Sequence, residues 1–322
     1  MNANFQNISQ TRALGRLEYI NCPFCESPTF DIVYKGVNCI KDHVSNLEYY
    51  YPTATKGNLV NQVVKCRGCQ FVYTNPRENH VDILGKYHDY IDNRYLSEEI
   101  SRRKNAQRIL NYVMEFSSPP GCWLDVGCSA GFFLDEVRKA GWEAFGLEPS
   151  KWASDFARDK LKLNVFRGEV EDLKEYPDNS FDVVSMVVVL AHVIRPVQVI
   201  SEIKRVLKDK GLLFIQTPDF DSLMSKIMKN GWKTIKWQML YFFTHYSLNQ
   251  FLRKEKFKIV SHRKRGLGKQ YSVDYVLAHS IEKDVQQRRI NGLFNALGIG
   301  DLNIYINLYE YLNVIAEKRT DE

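Results

Sequence analysis

Apolar and polar positions along the chain switch repeatedly between short apolar runs and helical spacing. Trp123 to Val126 is apolar enough for a buried strand, and Phe133, Leu134 and Val137 then fall on one face of a helix predicted over Phe132 to Ala140, which Gly141 ends. Glu143 to Leu147 predicts the next strand, and a helix from Pro149 through Lys160, with Ser150 as its cap, leads to a third, Leu163 to Phe166. Val183 to Leu190 is a continuous apolar run of the kind that suits a central parallel strand, which is buried on both faces. A helix over Val197 to Leu207 precedes a fifth strand, Leu212 to Gln216, and helices follow over Pro218 to Lys229 and Tyr246 to Lys254, the latter capped by Thr244. Phe257 to Arg263 and Leu312 to Ala316 complete seven strands, with Tyr271 to Leu297 reading as helical between them. Upstream, Ile100, Ile109, Leu110 and Val113 predict a helix over Leu96 to Phe116, which precedes and lids the first strand's ligand edge. Ser117 to Gly121 breaks it. Strands alternating with helices predict an α/β fold.

The N-terminal part has a different pattern. Met1 to Leu17 is polar, and then Cys22-Pro23-Phe24-Cys25 and Cys66-Arg67-Gly68-Cys69 form two knuckle-like turns. Short β-rich stretches flank them, Phe30 to Tyr34, Gln62 to Lys65 and Phe71 to Tyr73. Four thiolates in two C-x-x-C pairs suit a structural zinc ribbon, while a site without its metal or a redox pair are the competing readings. Lys35 to Asn61, with Tyr49, Tyr50 and Tyr51, is an insertion that forms either its own hairpin or a substrate flap; Cys39 has no partner at metal spacing. The expected division is a ribbon lobe over residues 18–80 and an α/β domain over 81–322, with a helical appendage at about 268–301.

The stretch after the first α/β strand carries the chemistry. In Asp125-Val126-Gly127-Cys128-Ser129-Ala130-Gly131 the glycines flank a tight turn that opens a helix. Glycine lets a backbone approach a ligand closely. The spacing is not the G-x-G-x-x-G of a dinucleotide site, and no P-loop lysine follows. Glu148, at the end of the next strand, is placed to accept hydrogen bonds from two ribose hydroxyls.

This turn and Glu148 resemble motif I and the following acidic position of class I S-adenosylmethionine-dependent methyltransferases, whose fold is a Rossmann-like seven-stranded sheet. The two cysteine pairs, Tyr73-Thr74-Asn75-Pro76-Arg77, Gly141-Trp142, Gly146 to Ser150, Phe181 to Met186 and Tyr241 to Thr244 extend the resemblance to a zinc-ribbon subgroup that often serves polysaccharide and sugar biosynthesis. It covers roughly Cys22 to the C-terminus. It implies S-adenosylmethionine held by Asp125, Gly127, Cys128, Ser129, Gly131 and Glu148, with Glu169 and the backbone near Val170 at the adenine, and a structural Zn2+ on Cys22, Cys25, Cys66 and Cys69. A solvent-facing acidic loop is the competing reading of Glu169. His192, after the fourth strand, is the candidate general base, against a histidine that only packs; Tyr241 and His245 are weaker alternatives. Two positions depart from the resemblance: Ala191 stands where relatives carry glutamate, and Met239 where they often carry histidine.

Composition narrows the function. The 322 residues are 44% hydrophobic and 25% charged, ordinary for a soluble globular protein. A net charge of +6 permits an anionic substrate without requiring nucleic acid. The N-terminus lacks a signal-peptide core and the run near Val183 to Ala191 is too short to span a bilayer, so a cytoplasmic protein is expected. The expected reaction is methyl transfer to a small polar acceptor, a hydroxyl of a sugar or glycan precursor. An RNA methyltransferase is the alternative. Leu190-Ala191-His192-Val193 in place of an Asn/Asp-Pro-Pro-Tyr motif argues against it, and the basic stretch His262 to Arg265 keeps it open. A non-catalytic cofactor-binding interaction module is the third reading.

Overall fold

The computed structural model describes residues 17–36, 62–78, 92–229, 232, 239–262, 267, 269–272, 303–306 and 310–319. Two sheets organise them. In the N-terminal lobe, β1 (Phe30–Tyr34), β2 (Val63–Cys66) and β3 (Val72–Thr74) form an antiparallel meander. The first cysteine knuckle precedes β1 and the second lies between β2 and β3, each closed by a backbone bond, Glu26 N–H to the Cys22 carbonyl at 2.9 Å and Gln70 N–H to that of Cys66 at 3.0 Å.

The larger sheet has seven strands. They are β4 (Cys122–Val126), β5 (Glu143–Leu147), β6 (Asn164–Phe166), β7 (Phe181–Val187), β8 (Leu207–Pro218), β10 (Phe257–His262) and β11 (Tyr311–Lys318), with β9 (Tyr241–Phe242) lying outside this sheet. The spatial order is β10-β11-β8-β7-β4-β5-β6. β4 to β8 pair in parallel, and β11 runs antiparallel between β8 and β10. This is the mixed, Rossmann-like arrangement that the resemblance implies. Helices α1 (Glu99–Val113), α2 (Phe132–Lys139), α3 (Lys151–Asp159), α4 (Pro196–Val206), α5 (Leu223–Met228) and α6 (His245–Lys254) cover it. The Ser150 hydroxyl accepts from Ala153 N–H at 3.3 Å, and Thr244 accepts from Ser247 N–H at 3.1 Å, so both predicted caps form.

Four expectations change. The fourth strand stops at Val187, because Val188 takes a left-handed φ of 60° and sends its N–H to the Gln216 carbonyl at 2.8 Å. The apolar run Val188 to Leu190 is therefore a packed turn at the sheet edge, which hydrophobicity alone cannot separate from strand. The predicted helix over Pro218 to Lys229 shortens to α5, since Pro218 ends β8 and Ser222 caps the helix by accepting from Ser225 N–H. The helix predicted over Leu96 to Phe116 divides into Asn93–Ser97 and α1. In the expected helical appendage, Lys269–Ser272 is a strand paired with Asn303–Ile306; residues 273–302 and most of the insertion, 37–61, lie outside the described residues.

The two sheets are joined. β9, from the C-terminal half, pairs with β3 as the fourth strand of the lobe's sheet. Cys22, Val64, Cys66, Phe71 and Tyr73 of the lobe share one buried cluster with Leu124, Val184, Ile215, Phe251 and Phe257 of the α/β region. Phe24, inside the first knuckle, stacks edge-on against Phe71 and Phe251, with ring centroids 4.0 and 4.6 Å away. The lobe is thus part of the main core.

Candidate functional site

The glycine turn lies at the C-terminal edge of β4, where open α/β sheets bind ligands. Gly127 N–H and Cys128 N–H both donate to the Leu147 carbonyl, at 2.7 and 3.2 Å, which pins the turn to β5. Gly127, Ser129 and Gly131 have φ of 73°, 50° and 83°. The two glycines serve different ends. A Cβ on Gly127 would lie 2.5 Å from Val189 Cγ2, in the turn after β7, whereas one on Gly131 would meet Leu163 Cδ1 at 2.6 Å and Ala157 Cβ at 3.0 Å. Gly127 therefore lets the edges of β4 and β7 close together, and Gly131 lets α2 start against α3 and the residues leading into β6. Cys128 contributes through its backbone, because its buried thiol sits against Gly146, whose added Cβ would be 2.7 Å from Cys128 Sγ.

Two carboxylates face this turn. Glu148, 6% exposed, accepts from Ser129 N–H through Oε2 at 2.8 Å and from Ser150 N–H through Oε1 at 2.9 Å. A carboxylate offers up to about four acceptor positions, which is the chemistry that suits a vicinal diol. Asp125, 2% exposed, accepts from the Ser185 hydroxyl at 2.6 Å, and that hydroxyl accepts from Trp123 Nε1–H at 2.8 Å. Burial, with the Glu148 charge adding and the Ser185 bond opposing, pushes the Asp125 carboxyl up to about 7. A cationic ligand would relieve both carboxylates. The Ser129 hydroxyl is buried in the same turn with no hydrogen-bond partner among the described residues, an arrangement that a polar ligand completes.

Gly168 N–H donates to the Glu148 carbonyl at 3.2 Å, which brings the half-buried Glu169 and Val170, at the start of the 3-10 turn Val170–Glu175, beside Glu148. Glu169 N–H is itself held by Asp172 Oδ2 at 2.9 Å. On the other side, His192 is half-buried and donates its N–H to the carbonyl of Val189, the residue packed on Gly127, at 2.8 Å. The structure therefore gathers Asp125, Gly127, Ser129, Glu148, Glu169 and Val170 around one edge, with the His192 turn adjoining.

The two alternative bases are placed elsewhere. Tyr241 is 1% exposed; its hydroxyl donates to the Ile194 carbonyl at 2.7 Å and accepts from Arg77 Nη1 at 2.9 Å, so both roles are taken. His245 starts α6 and lies against His262 of β10, ring centroids 4.1 Å apart, with β11 and β8 between that strand and β7. Ala191 and Met239, the two departures from the resemblance, share one buried apolar cluster with Val63, Val72, Trp232 and Phe242. They are 48 residues apart in sequence, and no local pattern connects them.

The four cysteines meet. Cys22 and Cys69 Sγ are 3.5 Å apart, as are Cys25 and Cys66, and all four sulfurs lie within 4.8 Å of one another. Burial pushes the Cys22 and Cys69 thiols up, the latter to about 11. Burial raises Cys66 as well, but the Cys69 and Gly68 amides and the neighbouring thiols outweigh it and bring Cys66 down to about 7. Tetrahedral zinc with Zn–S of about 2.3 Å needs sulfurs about 3.8 Å apart, so the donor set and its spacing fit that ion.

A methyltransferase-domain family profile matches residues 96–262, the segment that holds the turn, Glu148 and His192. The chain belongs to this methyltransferase family. Ubiquinone biosynthesis O-methyltransferase of Nitrosococcus oceani is 31% identical over 114 residues, 34% of this chain and 48% of the relative. The tRNA U34 carboxymethyltransferase of Helicobacter pylori is 29% identical over 170 residues, 49% of this chain and 65% of that protein. The chain thus spans about half the length of the first of these curated relatives. Among solved structures, a methyltransferase from Thermotoga maritima described as a possible histamine N-methyltransferase aligns at TM-score 0.48 and 19% identity, over 70% of this chain and 95% of that one. One from Archaeoglobus fulgidus aligns at TM-score 0.48 and 21% identity, over 70% and 100%. Among the described residues no helix is long and apolar enough to cross a membrane.

Proposed function

We propose that this methyltransferase moves a methyl group from S-adenosylmethionine to a small polar acceptor, a hydroxyl of a sugar or glycan precursor, in the cytoplasm. The observation that carries the cofactor half is the turn Asp125 to Gly131 with Glu148 on its rim. When bound, S-adenosylmethionine supplies a methyl group already activated on sulfur. The protein's part is alignment and removal of one proton. Glu148 would accept the ribose hydroxyls, Glu169 and the Val170 backbone would read the adenine, and Asp125 and the Ser129 hydroxyl, with the backbone of Gly127, Cys128 and Gly131, would hold the amino-acid end. His192, as a neutral imidazole, would take the acceptor's proton near pH 7. The apolar Ala191–Met239 cluster beside it leaves the acceptor side with fewer polar groups than the resemblance implies.

The likeness to a tRNA-modifying enzyme supports a second reading, in which the acceptor is RNA. Incubating metabolite extracts and total RNA with the protein and methyl-labelled cofactor, followed by mass spectrometry, separates the two. The expected result is a labelled low-mass O-methyl product. Label confined to RNA would favour the second reading, and no label in either pool would leave a non-catalytic cofactor-binding module.

For the cysteine lobe, residues 18–80, we propose a structural zinc on Cys22, Cys25, Cys66 and Cys69. Because the lobe shares a core and a sheet with the α/β region, zinc is expected to stabilise the whole chain, as metal binding is folding free energy. Elemental analysis should find one zinc per chain, and Cys66→Ser should lower the main melting transition. Protein free of zinc with an unchanged melting transition would contradict this.

A further inference from the structure

We propose that Tyr241 is a positioning residue: oriented by Arg77, it fixes the turn that carries His192, so that the cysteine lobe sets the geometry of proton removal. This rests on the reading of His192 as base. Tyr241 holds the turn on both sides of His192. Its own N–H and that of Leu240 donate to the Ala191 carbonyl, at 3.2 and 2.9 Å, and its hydroxyl donates to the Ile194 carbonyl at 2.7 Å. His192 N–H closes the turn onto Val189.

Arg77 gives the hydroxyl its direction. A guanidinium has no acceptor, so the Nη1 bond at 2.9 Å obliges the tyrosine oxygen to accept, and its single proton must point to Ile194. Arg77 is 8% exposed, a buried charge tied also to Glu18 through Nε at 3.3 Å. A group desolvated to that extent is costly to retain unless it is paired.

The other end of the relay is the lobe's sheet. Thr74, next to the β9 pairing, donates its N–H to the Leu240 carbonyl at 2.9 Å and its hydroxyl to the Met239 carbonyl at 2.7 Å. Four residues of the lobe, Val72, Tyr73, Thr74 and Arg77, thus hold the strand that holds the turn. The left-handed Val188 at the start of the turn is a conformation that persists only where its surroundings over-determine it; the Gln216 carbonyl holds its N–H at 2.8 Å, and the Tyr241 bonds hold the residues that follow.

Tyr241→Phe keeps the buried ring and deletes the hydroxyl. Three readouts are taken on the full-length protein: amide hydrogen exchange over residues 188–195, the titration of the His192 ring followed by NMR with 13C-labelled histidine, and S-adenosylhomocysteine binding by calorimetry. Loss of one buried hydrogen bond corresponds to about tenfold in local opening, so exchange over the turn should rise by about that factor. The His192 titration should shift, and S-adenosylhomocysteine affinity should stay within about twofold. Arg77→Lys, which keeps a donor, should show less of each change than Arg77→Met. Exchange and His192 titration identical to wild type in Tyr241→Phe, even with a lower Tm, would overturn the proposal. Should His192→Ala retain full turnover while Tyr241→Phe still loosens the turn, it is the general-base reading that fails, and with it the link from Tyr241 to proton removal.

Discussion

Gly127→Val is expected to abolish binding of S-adenosylmethionine and S-adenosylhomocysteine. Gly127 has a φ of 73°, a region that β-branched residues rarely enter, and holding one there costs of the order of 1–3 kcal/mol. The first side-chain carbon would also lie 2.5 Å from Val189 Cγ2 and 3.3 Å from its Cγ1. Relief requires either the turn to leave its conformation or the Val189 segment to move off the sheet edge. The first route removes the Ser129 N–H from Glu148, and the second displaces the turn that carries His192. Moving Val189 leaves the φ strain in place, so the first route is the expected one and the cofactor loses its cradle, while β4 and β5, paired over five residues, should still form. Calorimetry is expected to show no binding and circular dichroism a folded protein. Wild-type affinity in Gly127→Val would mean that the ligand lies elsewhere.

His192→Ala is expected to lower turnover on the identified acceptor by about 10²–10⁴, the usual contribution of a positioned general base. S-adenosylhomocysteine affinity should remain within about twofold, because His192 follows β7 and the proposed ribose and adenine contacts follow β5 and β6. The wild-type rate should fall as pH drops, since a protonated ring cannot accept a proton. Wild-type turnover in the variant, under conditions where chemistry limits the rate, would place proton removal on another group. Tyr241 is a poor substitute, because burial raises its pKa, though Arg77 works in the opposite direction, and its hydroxyl is bonded on both sides.

The sequence carries the parts of this site that local pattern controls. The apolar run before Gly127, the helical spacing after Gly131 and the acid closing Glu143 to Leu147 each follow from a few neighbouring residues, and β4, α2 and β5 fall where that pattern puts them. The cysteine pairs are equally legible, since each C-x-x-C knuckle is a local pattern of four residues. Other features depend on long-range pairing. The run Val183 to Leu190 gives no sign that Val188 turns left-handed, because the turn is set by the Gln216 carbonyl on another strand. Two residues, Tyr241 and Phe242, are too few to announce a strand, and they form one because Val72 and Tyr73 offer an open edge. The Arg77–Tyr241 bond spans 164 positions, and the common burial of Ala191 and Met239 has no period to reveal it. The predicted helical appendage fails at Lys269–Ser272, where pairing with Asn303–Ile306 overrides local propensity.

Binding of S-adenosylmethionine is expected to depend on the turn from Asp125 to Gly131 and on Glu148. Titration calorimetry of S-adenosylhomocysteine into the wild-type chain and into Glu148→Ala tests it most directly. A hydrogen bond to a charged group contributes roughly 1.5–3 kcal/mol, so losing the ribose acceptor should weaken binding at least about tenfold. One ligand should bind per wild-type chain, with that loss in Glu148→Ala; no binding to the wild type, or equal affinity in the two proteins, would mean that this edge does not hold the cofactor.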